Sequence, residues 1–329
     1  MRAVHYDGAG GPEVIMVTEV PDPVPQAGEV LIEVAAAALN RADVMQRRGM
    51  YAPPEGVSEI PGLEVSGRVV AAGEGSDLGV EELIGKEVVA LLAGGGYAEK
   101  VVVDARHVLP VPAGVSLTDA AGLIEVAATV HSNLRGEAQV QPGDTVLIHG
   151  GTGGIGSFAL QHLRCLGVEV LTTVGSAEKA RLAVELGADH VINYNEEDLG
   201  ERVQEITEGR GVDVILDVVG AKYLQTNLAS LALDGRMVVI GLQGGRKGEV
   251  DLGLMLGKRL RIIATTLRSR GAEAKAEIVR GVAAEVWPLL DSGKIRIQTD
   301  RTFPLDQAAE AHEYFDSGTH TGKILLRMS

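Results

Sequence analysis

The chain has 329 residues, enough for two domains with separate cores, and its 45% hydrophobic and 23% charged content is an ordinary globular balance that gives no sign of disorder. Its 45 acidic residues against 30 basic ones give a formal charge of −15, which argues against nucleic acid or anionic lipid as an electrostatic partner. No apolar run approaches the roughly 18 residues of a membrane span, the start Arg2–Tyr6 has no signal-peptide pattern, and the single cysteine excludes an intrachain disulfide, so a cytoplasmic protein is expected.

In chain order, short strands are predicted at Arg2–Tyr6, Val30–Ala35, Val65–Ala71, Lys86–Leu92 and Ala98–Val103, separated by helix-breaking Pro21–Pro25, Pro53–Pro54 and Gly94–Gly96. After Pro112 the texture changes to a helix at Ala120–Arg135 and then to alternating strands and helices. Strands are expected at Thr145–His149, Val168–Val174, His190–Asn193, Val212–Val218, Met237–Leu242 and Arg261–Thr265. Such alternation implies a parallel sheet covered by helices. The last 60 residues or so read as a helix Ala272–Asp291, a strand around Ile295, a helix Leu305–Phe315 and a strand Lys323–Arg327. Cys165, inside the predicted helix Ser157–Leu166, reads as a small core residue.

The most informative stretch joins the strand Thr145–His149 to that helix through Gly150-Gly-Thr-Gly-Gly-Ile-Gly156. A dinucleotide diphosphate must come close to backbone N–H groups at the positive end of a helix, where a Cβ would collide with it. Gly150, Gly153 and Gly156, flanked by strand and helix, fit that demand. The end of the second strand usually offers an Asp or Glu to the ribose 2′-hydroxyl of NAD. Here it offers Gly175-Ser176, with Lys179 one turn on and no acid before Glu178. A 2′-phosphate is accommodated there, so NADPH is expected over NADH.

The β-rich start, the glycine turn and the short return resemble the medium-chain dehydrogenase/reductase superfamily. The resemblance is carried by Leu39-Asn-Arg-Ala-Asp43, Pro61-Gly-Leu-Glu-Val-Ser-Gly67, Gly150–Gly156 and Gly322-Lys-Ile324, and it covers essentially the whole chain. Within it the sequence resembles the zinc-free, NADPH-dependent quinone oxidoreductase branch that includes zeta-crystallin, and Leu231-Ala-Leu-Asp-Gly-Arg236 and Thr266-Leu-Arg-Ser-Arg270 resemble especially the quinone reductases induced by the tumour suppressor protein in animals. The implied fold is a Rossmann doubly wound parallel sheet at 123–266 and a β-rich GroES-like catalytic domain made of 1–122 and 267–329. The implied activity is hydride transfer from NADPH, lying in a cleft between domains, to a quinone. An enoyl or enone reductase and a non-catalytic NADPH-binding protein are the alternatives.

In zinc-bearing relatives a cysteine stands at the place of Asn40 and a histidine at the place of Leu63; neither residue here is a good zinc ligand, so no metal is expected. The resemblance makes Asn40 a donor to the acceptor oxygen or the nicotinamide ribose and Tyr51 a cap on the acceptor, while Asp43 and Arg41 are expected to pair or cap locally. For the coenzyme it assigns Thr129 to the nicotinamide end and Gly153, Gly154 and Ile155 to the pyrophosphate. Gly175, Ser176, Lys179 and Tyr194 fall at the 2′-phosphate, Leu242, Leu267 and Arg268 along the track between the rings, and Lys323 near the phosphates. A homodimer is expected, because the strands Met237–Leu242 and Arg261–Thr265 should form an apolar sheet edge.

Overall fold

The computed structural model describes residues 1–75 and 79–328. The chain opens with strands β1 (Arg2–Tyr6), β2 (Ile15–Glu19), β3 (Glu29–Ala38), β4 (Glu64–Ala72), β5 (Glu87–Leu91), β6 (Lys100–Asp104) and β7 (Val108–Pro110). Six strands follow in alternation with helices: β8 (Thr145–His149), β9 (Glu169–Val174), β10 (His190–Asn193), β11 (Val212–Asp217), β12 (Leu231–Val239) and β13 (Arg261–Ala264). The return supplies β14 (Thr299–Pro304) and β15 (Lys323–Arg327). Two units result, one of residues 1–128, 267–293 and 297–329, the other of residues 129–266 and 294–296.

In the first unit, β14-β15-β3-β4-β5-β7 form one sheet, with β6 also paired to β3 and a separate β1-β2 hairpin beside it. β15 is parallel to β14 and antiparallel to β3, so the last strand of the chain is built into the middle of this sheet. Alternate residues of β3, Val30, Ile32 and Val34, face a core that also takes Val65, Val69, Val88, Val101, Ile324 and Leu326. Each such side chain, fully removed from water, contributes about 1.5–3 kcal/mol.

In the second unit, all pairings are parallel and the order is β10-β9-β8-β11-β12-β13. This is the doubly wound order, with its switch point between β8 and β11, and ligands of such sheets bind outside the carboxyl ends of the strands at that point. Thr145–His149 is buried along its whole length, as a central strand covered on both faces requires.

Several sequence expectations need correction. No strand forms around Ile295: the Gln161 side-chain amide donates to Arg296 O and accepts from Arg296 N–H, both at 2.9 Å, leaving that backbone nothing for a ladder. The strand lies at β14 instead. The continuous helix Ala120–Arg135 is broken into Leu117–Ala120, Ile124–Val130 and a π-helical segment His131–Glu137. β12 begins at Leu231 and is interior, so of the two strands expected to form an edge only β13 does. Cys165 is exposed rather than in the core.

Candidate active site

The coenzyme face of the second unit is built by the turn after β8. Gly150 has φ +74°, and its N–H donates to Thr173 Oγ1 (3.2 Å) while Gly151 N–H donates to Thr173 O (3.1 Å), which ties the turn to the end of β9. A Cβ on Gly156 would lie 2.2 Å from Gly150 O, so only glycine lets the helix Gly154–Cys165 start this close to the strand. A Cβ on Gly153 would meet only Gly150 O at 3.6 Å, an ordinary contact. Packing within the chain therefore does not demand glycine at 153, whereas a ligand lying on the turn does. Gly153 caps the helix without a side-chain bond, so the first-turn amides of Gly154 and Ile155 are presented at its positive end. These features fit a pyrophosphate.

At the end of β9, Ser176 Oγ accepts from Lys179 N–H (3.2 Å) and caps the helix Ala177–Leu186. Its hydroxyl proton stays available to an anion. Tyr194, 47% exposed at the end of β10, lies over Gly175 so closely that a Cβ there would be 2.4 Å from its hydroxyl oxygen. Gly175, Ser176 and Tyr194 thus form one surface at the start of that helix, with Lys179 half-buried in its first turn and no carboxylate in the cap. Leu242 is exposed beyond β12. Thr129 is buried, and its carbonyl accepts from Asn133 Nδ2 (2.8 Å) and Ser132 Oγ (3.3 Å), while Asn133 Oδ1 accepts from Thr265 Oγ1 (2.6 Å). The π-helical turn that brings Asn133 there left no signal in the sequence; such turns recur at functional sites.

In the first unit, Asn40, Glu64 and Lys323 are buried together. Lys323 Nζ donates to Glu64 Oε1 (2.7 Å), Asn40 Oδ1 (2.7 Å) and Leu39 O (3.2 Å), which uses all three ammonium hydrogens. Two expectations fall with this. Lys323 has no donor left for a phosphate. Asn40 gives its Nδ2 hydrogens to Glu64 Oε1 (3.1 Å) and Ala38 O (3.3 Å), so it has none for an acceptor; it positions the ion pair instead. Glu64 Oε2 accepts the Glu125 N–H (3.0 Å), completing the network. Nothing in the sequence hints at the Glu64–Lys323 pair, because a buried lysine 283 residues away from Asn40 leaves no local signature.

Leu63 offers no ligand atom, Glu64 is committed to Lys323, and among the described residues no group of three or more His, Cys, Asp or Glu could hold a metal ion. Asp43 caps the helix Arg41–Arg47 by accepting the Asn40 N–H (2.8 Å), and also accepts from Tyr97 Oη (2.9 Å) and Gly62 N–H (3.1 Å). Burial nevertheless pushes its carboxyl up to about 6. Arg41 does not pair with it; its guanidinium stacks 4.7 Å from the Phe315 ring centroid.

Tyr51 is half-buried, with the Arg268 guanidinium 5.4 Å from its ring centroid. Burial raises its phenol above the usual range, and its hydroxyl has no hydrogen-bond partner among the described residues. The Arg268 side chain is buried in the first unit, donating to Ala93 O (2.6 Å) and Gln46 Oε1 (2.8 Å). Only its backbone and that of Leu267 remain for the track assigned to them. Gln46, which also donates to Glu59 O (2.9 Å), was not expected at the site.

Residues 154–282 match the family described as "Zinc-binding dehydrogenase", and residues 26–113 match "Alcohol dehydrogenase GroES-like domain". The chain is 33% identical to quinone oxidoreductase 1 of Escherichia coli over 98% of both proteins. It is similar to the crystal structure of E. coli quinone oxidoreductase complexed with NADPH (TM-score 0.89, 32% identity, 99% of this chain and 100% of that one). A mycobacterial protein complexed with NADPH is equally close in fold (TM-score 0.89, 34% identity, 99% and 100% covered). Joined to a doubly wound sheet with an uncapped glycine turn, a full-length identity of this size means that the chain belongs to the quinone oxidoreductase branch of the medium-chain dehydrogenase/reductase superfamily.

Proposed function

We propose that the protein is an NADPH-dependent oxidoreductase that reduces a quinone or a similar conjugated acceptor without a metal. The observation that carries the coenzyme choice is the surface at the end of β9, where Ser176, Tyr194 and the start of the helix Ala177–Leu186 replace the carboxylate that NAD requires. NADPH complexes of two similar structures support the same choice. When bound, NADPH supplies the hydride.

The chain's own residues do the rest. Gly153, Gly154 and Ile155 hold the pyrophosphate with main-chain N–H groups; Ser176, Lys179 and Tyr194 hold the 2′-phosphate. Thr129, Leu242 and the Leu267–Arg268 backbone lie along the rest of the coenzyme. Tyr51 has a free hydroxyl on a ring steadied by Arg268, so it caps the acceptor and donates a hydrogen bond to the oxygen on which negative charge grows. A conjugated acceptor takes hydride without Lewis-acid help, which suits a first unit where Asn40 and Leu63 stand in the place of metal ligands and Lys323 holds Glu64 and Asn40. The second copy in a homodimer would pair along the exposed edge β13.

Following NADPH oxidation with 1,4-benzoquinone, 9,10-phenanthrenequinone and a crotonyl thioester tests this reading. Rapid turnover of the quinones, unchanged by a zinc chelator, is expected. Preference for the thioester would make the protein an enoyl reductase, and tight NADPH binding with no turnover would make it a non-catalytic binder.

A further inference from the structure

A cavity of about 570 Å3 lies within the first unit, and neither Tyr51, Gln46 nor Arg268 borders it. Much of its wall is apolar, with Val57, Ile60, Leu92 and Val103 among the lining residues. Lys275, in the first turn of the helix Ala272–Glu285, also lines it. That lysine is only 6% exposed, yet its ammonium has neither a hydrogen bond nor an ion pair among the described residues. The ammonium is left to the cavity it lines, with no counter-ion of its own among the described residues. The positive end of the helix adds to the local positive charge, and no side chain caps the first-turn amides there.

The acids nearby are already engaged. Glu273 pairs with Arg106 and Arg280, Asp104 pairs with Arg106, and Glu29 accepts the Gln26 N–H. His107, another lining residue, hydrogen-bonds Ala272 O through Nε2 (2.8 Å), which fixes the proton on that nitrogen. Lys100 is neutralised by Asp22. Lys100, Arg270 and Lys275 outnumber the carboxylates of Glu29 and Asp104 along the cavity wall, in a protein whose net charge is −15. Burial and the nearby Arg268 lower the proton affinity of Lys275, as an environment lacking an anion does.

We propose that this cavity binds a small organic carboxylate with an apolar body. The carboxylate meets the Lys275 ammonium and the amides opening the helix Ala272–Glu285, and the apolar body lies against Val57, Ile60 and Leu92. The site does not depend on the coenzyme reading, since its residues are those of the first unit.

Calorimetric titration of the intact protein with 2-naphthoate, and with the neutral 2-naphthamide as counter-probe, provides the test. The acid should bind at least tenfold more tightly than the amide, and Lys275→Gln should remove that preference. Lys179→Ala should leave it unchanged. Equal binding of acid and amide, or no binding of the acid, would overturn the proposal. So would a loss of affinity in Lys179→Ala matching that in Lys275→Gln, which would place the probe in the second unit. If Lys275→Gln does not fold, the comparison of acid with amide on the unaltered protein and on Lys275→Arg, where the preference should survive, still decides.

Discussion

The side chains that matter most to the proposed chemistry are those whose hydrogen bonds are not yet fully spent. Ser176 is such a residue, since its oxygen accepts from Lys179 N–H while its proton is available. Removing the Lys179 charge with Lys179→Ala should weaken NADPH by about tenfold or more, the scale of one charge-assisted hydrogen bond, and leave NADH nearly unchanged. Equal losses in fluorescence titrations with the two coenzymes would remove Lys179 from the 2′-phosphate site. The Glu64–Lys323 pair has the opposite character, with every donor used. Lys323→Met leaves a carboxylate buried alone and should cost about 3–5 kcal/mol, while the double variant Glu64→Leu, Lys323→Met should recover most of it. Denaturant unfolding of both variants measures the difference.

Among the elements, β13 is one of the two edges of the parallel sheet, β10 being the other, and Ile262 on it is 38% exposed. If the proposed dimer pairs along β13, Ile262→Lys should give a monomer in light scattering, because a charge on an edge strand opposes pairing with a second copy; an unchanged mass would remove β13 from the interface. This sheet was legible in the sequence for a physical reason: central parallel strands are short, mostly apolar and followed by glycine turns, so β8 falls where it was expected, and the edge strand β10 does too. Elements fixed by distant partners were not legible. The backbone at Ile295 is claimed by Gln161, and the register of the π-helical segment is set through Asn133 and Thr265. At the site, the glycine turn and Ser176 were visible because backbone geometry dictates them locally. The engagement of the Asn40, Arg268 and Lys323 side chains was not visible, because it is set by contacts spanning up to 284 residues.

For the molecule as a whole, stability should depend on pH through buried groups in both units. His312 Nδ1 accepts from Arg47 Nη1 (3.1 Å) and cannot take a proton without losing that bond; burial, with Arg47 beside it, holds its pKa down to about 3. His149, buried between Thr173 and Asn227, is held down to about 4 by burial. Between pH 6 and 4 the unfolded chain therefore binds these two protons and the native chain does not, so stability falls as pH falls. Asp43, raised to about 6, works in the other direction, because the native form takes up its proton first. His107, also held down by burial, adds to the histidine side, so the net effect is a loss of stability on acidification across that window. Chemical unfolding at several pH values checks it, and His312→Gln should flatten the slope. The order of synthesis carries a further consequence. β3 and β4 are synthesised well before β15, so the counter-ion that makes the Glu64 carboxylate tolerable arrives long after the carboxylate itself. Nascent chains halted before Lys323 should therefore keep the first unit open to protease and accessible to chaperones, while the second unit, whose main segment is already complete, closes ahead of it.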